Sequence, residues 1–239
     1  MSWYTQVNTW TDHFKQSDEY GKGTGSTAES VRHCVLALRE LLSPTYAVST
    51  VNGDVLLKEP WPSTCAMLVM PGGADLGYCA VLNGKGNSRI KRFVQDGGSY
   101  LGLCAGGYYG SGRCEFELGD KLLEVQGDRE LAFFPGICRG CAYSGFKYHS
   151  ENGACAAQLK VTKALNVTSK AFQAYYNGGG VFVDAGNYHE KGVEVLASYI
   201  EETLIESGTE QAAVVYCKVG SGGAILTGPH PEFVPESND

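Results

Sequence analysis

Leu101-Gly-Leu-Cys104-Ala-Gly-Gly-Tyr-Tyr-Gly110 is the stretch that decides the fold. The apolar run from Ser99 to Leu103 reads as a buried strand, and the small residues after Cys104 open a helix. A strand-to-helix elbow with a nucleophile at its tip forces a tight backbone turn, so glycines follow it. The turn also sets the thiol near helix N-terminal N–H groups, whose partial positive charge favours thiolate.

Working outward, strands alternate with helices. Ser26-Thr-Ala-Glu29 has the form of a capping box. Behind it Val31, Cys34, Val35, Leu38 and Leu41 fall at helical spacing, predicting a helix over 27–42 that ends at Pro44. Strands are expected at Ala47–Val51 and Ala66–Met70, the second running into Pro71-Gly-Gly73. Between Asn87 and Gln95, Ile90, Phe93 and Val94 face inward on a helix stopped by Gly97-Gly98. This alternation predicts an α/β fold with a doubly wound, mainly parallel sheet flanked by helices. In such sheets sites form at the carboxyl ends of strands, where Pro71-Gly-Gly73 and Cys104 both fall. The second half reads differently: 156–161, 173–176, 193–199, 212–219 and 224–227 are strand-like with little helix between them. Those over 156–219 are expected to extend the sheet partly antiparallel. No repeat or linker divides the chain.

Composition narrows the function class. The 239 residues suffice for one full α/β domain. A net charge of −7 argues against nucleic-acid and anionic-membrane partners. Nine cysteines, an odd number without a small-domain framework, and no apolar leader in Met1–Asp18 point to a reducing, cytoplasmic setting.

Near the C-terminus, strand 224–227 leads into Gly228-Pro-His230-Pro-Glu232-Phe233. Residues two apart in an extended segment project to the same side, and Pro231 holds His230 extended. Glu232 would then take the imidazole Nδ1–H and turn Nε2 toward a thiol. With Cys104 at another strand end, a Cys104–His230–Glu232 triad is expected. The N–H groups of Gly73 and Ala105 would form an oxyanion hole, typically worth ~3–4 kcal/mol to the barrier.

Several motifs occur together: Pro71-Gly-Gly-Ala-Asp75, Gly102-Leu-Cys-Ala-Gly-Gly107, Arg113-Cys-Glu-Phe116, Phe133-Phe-Pro-Gly136 with Cys138-Arg-Gly140, Tyr175-Tyr-Asn-Gly-Gly179 and Thr227-Gly-Pro-His-Pro-Glu-Phe233. In this order they resemble the N-terminal domain of fungal biotin–protein ligases, of the flavodoxin-like, class I glutamine amidotransferase-like superfamily. The resemblance implies that Cys104 is the amide-attacking nucleophile, completed by His230 and Glu232. It also implies one amidotransferase-like domain over 23–233, between an atypical polar segment over 1–22 and a short tail over 234–239. Two departures stand out. No biotin-activating domain or Gly-Arg-Gly-Arg-like loop is present, so no biotin ligation is expected. Where the family begins with an apolar strand, Phe14–Tyr20 is polar; Val7–Trp10 or another segment takes that place, or the sheet edge is unusual.

Remaining candidates carry a functional and a structural reading each. Gly72, Asp75 and Gly106 flank the oxyanion turn and the elbow and could touch substrate. Arg139 could clamp a carboxylate or fix its loop. Glu115 either orients Arg113 or lies near the pocket. Asn177 either binds substrate or takes a left-handed turn. Cys138-Arg-Gly-Cys141 has half a zinc site's spacing without a second pair, so no metal and no cofactor is expected. His149 and His189 read as solvated. Together these features predict a cysteine-dependent amidase or amidotransferase acting on a small-molecule amide or acyl substrate, with a ligase or synthase as possible partner. The alternative is a catalytically silent regulatory or binding module.

Overall fold

The computed structural model describes residues 6–11, 25–208 and 210–233. The polar stretch Phe14–Tyr20, Gly21–Thr24 of the glycine loop and the tail 234–239 lie outside them. The elements begin with β1 (Gln6–Trp10), β2 (Gly25–Ser26), α1 (Ala28–Leu42), β3 (Ala47–Val51), α2 (Gly53–Lys58), β4 (Cys65–Met70) and β5 (Gly73–Ala74). Next come α3 (Asp75–Leu82), α4 (Lys85–Gln95), β6 (Ser99–Leu103), α5 (Ala105–Gly110), β7 (Ser111–Phe116), β8 (Val125–Asp128) and β9 (Phe134–Gly140). The chain continues through β10 (Cys155–Val161), β11 (Ala171–Tyr176), β12 (Val181–Phe182), β13 (Val193–Tyr199), β14 (Ala212–Val219) and β15 (Gly222–Thr227).

Nine strands form one sheet in the order β11-β10-β13-β14-β15-β6-β4-β1-β3. From β3 to β15 every pairing is parallel, and from β15 to β11 every pairing is antiparallel. The switch from alternating to strand-only sequence marks that boundary. The place between β3 and β4 is taken by β1, the Val7–Trp10 segment.

Side-chain alternation sorts the parallel strands onto two cores. Val7, Val69 and Leu103 pack with Cys34 and Leu38 of α1 on one face. Trp10, Leu68, Met70 and Tyr100 pack with Ile90, Phe93 and Val94 of α4 on the other. Helices therefore cover both faces, as a buried parallel sheet requires.

Three local expectations shift. The cap of α1 is Thr27, whose side chain accepts the Ser30 N–H, so the helix begins one residue later than a Ser26 box implies. Leu41 is 77% exposed; in the last turn of α1 it is Leu42 that packs against the core on this face. Finally β7, β8, β9 and β12 build a separate four-stranded sheet that the sequence reading left unassigned. Among the described residues no helix is long and apolar enough to cross a membrane.

Candidate active site

Cys104 sits between β6 and α5 with φ 49° and ψ −102°, a region that disfavours a side chain. Such a residue costs about 1–3 kcal/mol and persists only where its surroundings hold it. Here the Cys104 N–H donates to Thr227 O at 2.9 Å, and the Gly106 N–H donates to Pro71 O at 3.2 Å. A Cβ on Gly106 would collide with the Met70 carbonyl, so only glycine lets α5 lie this close to β4. Packing of the elbow on both neighbouring strands thus fixes the sulfur at the carboxyl ends of β4, β6 and β15.

His230 follows β15 and is held by its own N–H, which donates to Tyr175 O at 2.7 Å. Its ring Nδ1 lies 2.8 Å from Glu232 Oε1, with both residues 6% exposed. The imidazole and the Cys104 thiol line the same cavity, close enough to interact electrostatically. Burial alone would push His230 down; the Glu232 carboxylate and Cys104 outweigh it and hold the imidazole well above 6.5. Cys104 Sγ also lies 3.8 Å from the Asn177 carbonyl oxygen.

These groups open on a cavity of about 510 Å³, the size of a small-molecule site. Gly72, Gly73, Ala105 and Asn177 line it with Cys104 and His230. Its far wall is aromatic: Phe116 meets Phe146 edge-on at 5.3 Å between ring centres, and Phe146 meets Tyr148 at 4.9 Å.

The family described as "Biotin-protein ligase, N terminal" matches residues 20–239. The chain belongs to the biotin-protein ligase N-terminal family. It is 43% identical over 216 residues to the biotin–protein ligase of Schizosaccharomyces pombe, covering 90% of this chain and 33% of that protein. It thus spans one third of that relative's length. An uncharacterized protein of Chlamydia muridarum is 39% identical over 210 residues, covering 86% of this chain and 76% of its own. Two solved structures share the fold, which is class I glutamine amidotransferase-like. Thermotoga maritima PurLQS matches with a TM-score of 0.57 at 17% identity, over 96% of this chain and 88% of that one. The glutaminase domain of Trypanosoma brucei CTPS, with bound acivicin, matches at 0.56 and 12%, over 96% and 87%.

Other candidate residues of this biotin-protein ligase N-terminal domain stand elsewhere. Alternation along β7 turns Cys114 and Phe116 into the cavity and sends Arg113 and Glu115 to the opposite face. There Glu115 takes Arg113 Nε at 2.8 Å and Arg139 Nη2, from the adjacent β9, at 2.6 Å. Burial would raise the Glu115 carboxyl, but the two arginines hold it below its ordinary range. Arg113, Glu115 and Arg139 therefore do not line the cavity, and Arg139 is paired with Glu115 across the β7–β9 ladder. Gly106 does not line it either; its role is close packing.

Asp75 does line the cavity, tied through Oδ2 to Arg129 Nε at 2.7 Å with both side chains under a tenth exposed. Sequence gave no sign of Arg129, a lone arginine in an unassigned loop. Ser30 and the wall residues Phe146 and Tyr148 were also missed. His149 is exposed as expected, yet it stands at the cavity rim; His189 is exposed away from it.

Proposed function

We propose that this domain is a cysteine-dependent amidase of the glutamine amidotransferase-like type. His230 takes the proton of Cys104, and the sulfur attacks the amide carbon to form a C–S bond. Gly73 and Ala105 N–H groups hold the oxyanion. The C–N bond then breaks, the amine leaves with the proton from His230, and water hydrolyses the thioester. The observation that carries this reading is an imidazole bound to the Glu232 carboxylate that shares the lining of a substrate-sized cavity with the elbow cysteine Cys104.

The charge around the cavity narrows the substrate class. Among the described residues, Arg129 is committed to Asp75, and Arg113 and Arg139 to Glu115. Lys147 lines the cavity together with Glu29 and Glu151. One lysine against the two carboxylates of Glu29 and Glu151 in the same lining disfavours a free carboxylate on the substrate, while a flat apolar body fits the aromatic wall. The substrate is therefore a neutral or cationic carboxamide with a planar apolar portion.

Alkylation of residue 104, mapped by mass spectrometry, tests the reading. Iodoacetamide should modify Cys104 faster than a free thiol, with a larger preference over iodoacetate than a free thiol shows. Cys104→Ala should abolish hydrolysis of any aryl carboxamide the parent cleaves. A Cys104 that reacts like a free thiol would overturn the mechanism, and equal or faster reaction with iodoacetate would overturn the substrate class.

A further inference from the structure

Ser30, in the first turn of α1, is 1% exposed and uses its hydroxyl in two directions. Its Oγ accepts the Gly72 N–H at 2.8 Å and donates to Glu232 Oε1 at 3.3 Å. The same Oε1 receives His230 Nδ1, while Oε2 is buried without a partner among the described residues. Both donors to the Glu232 carboxylate therefore converge on one oxygen, and Ser30 is one of them. Thr27 completes the arrangement: its side chain accepts the Ser30 N–H and its own N–H donates to the Gly72 carbonyl at 3.1 Å. Gly72 is thus gripped at both its N–H and its C=O by the start of α1. It also lies so close to the imidazole that a Cβ there would strike His230 Cε1.

We propose that Ser30 is a positioning residue that couples the carboxylate orienting His230 to the Gly72–Gly73 turn. It rests on the amidase reading and adds a fourth member to the relay. A buried carboxylate with few donors is costly to keep ionised, so the hydroxyl preserves the charge that holds the imidazolium. By fixing Gly72 it also sets where the next residue, Gly73, presents its N–H to an oxyanion. The titratable groups facing the unit are Cys104 from the elbow, Tyr175 from β11 and Cys34 one turn along α1. Burial, with the Glu232 charge, pushes the Cys34 thiol up and keeps it neutral.

The test is the pH profile of iodoacetamide alkylation at Cys104 in the full chain, with peptide mapping to separate the nine thiols. Ser30→Ala should slow the reaction at neutral pH about tenfold, the scale of one hydrogen bond to a charged acceptor. Its acid limb should move to higher pH, because an unsupported carboxylate holds the imidazolium less firmly. Ser30→Thr, which keeps the hydroxyl, should restore the profile. Ser30→Ala combined with Glu232→Gln should be no slower than Glu232→Gln alone, since Ser30 reaches the sulfur through Glu232. Should Ser30→Ala not fold, Ser30→Cys, nearly isosteric with a weaker donor, is read in the same way. A Ser30→Ala profile superimposed on an activated parent, or effects that multiply in the double variant, would overturn the role of Ser30 alone. A parent that alkylates like a free thiol would overturn the amidase reading and Ser30 with it.

Discussion

The parallel half of the molecule and the small four-stranded sheet meet at one cavity and contribute to it in different ways. The parallel strands bring groups whose positions the backbone dictates: an elbow cysteine after β6, a histidine after β15 and a glycine turn after β4. The small sheet and the loop that follows it bring side chains, Phe116 from β7 and Phe146 and Tyr148 from the loop, that form a wall. Reacting groups held by hydrogen-bonded main chain tolerate little displacement, whereas a wall of rings can change shape without disturbing them. On the amidase reading proposed above, chemistry belongs to the first region and selectivity to the second.

That division can be broken at the Asp75–Arg129 pair, which joins the start of α3 to the end of β8. Arg129→Met strands a buried carboxylate and should cost about 3–5 kcal/mol in a denaturant unfolding experiment. A loss within error would mean that the pair does not couple the regions. Sharpening comes from Phe146→Ala. It should leave iodoacetamide alkylation of Cys104 unchanged while weakening protection by 3-phenylpropionamide about tenfold, the scale of one aromatic contact with its buried area. If alkylation and protection fall together, wall and relay are not separable. The smallest effect is expected on the far face of β7, where Arg113 is about one third exposed. Arg113→Ala should leave the unfolding midpoint almost unchanged and Cys104 reactivity as it was. A change in that reactivity would return Arg113 to the site.

Legibility in the sequence followed the same division. The elbow, the β4 turn and the His230-Pro-Glu232 segment were readable because each needs special backbone residues, glycine or proline, at fixed offsets from a strand. The antiparallel extension of the sheet was readable because little helix separates the strand-like segments from 156 onward. The small sheet was not, since Arg113-Cys-Glu-Phe116 is too short for its alternation to separate a wall face from an ion-pair face. That ambiguity put Arg113 and Glu115 among the site candidates and left Phe116 out. Ser30 and Arg129 reach Glu232 and Asp75 across 202 and 54 residues of sequence, and no local pattern announces such contacts.

The account rests on His230 being held as an imidazolium between Glu232 and Cys104, and an NMR titration of its ring reads this directly. Its raised folded-state value means the stability it contributes is complete below about pH 6.5 and is lost as pH rises through the higher folded value. The predicted result is a His230 midpoint above 6.5 that falls in Glu232→Gln, where burial, which lowers it, is left less opposed. A midpoint at or below 6.5, unmoved by Glu232→Gln, would contradict the account.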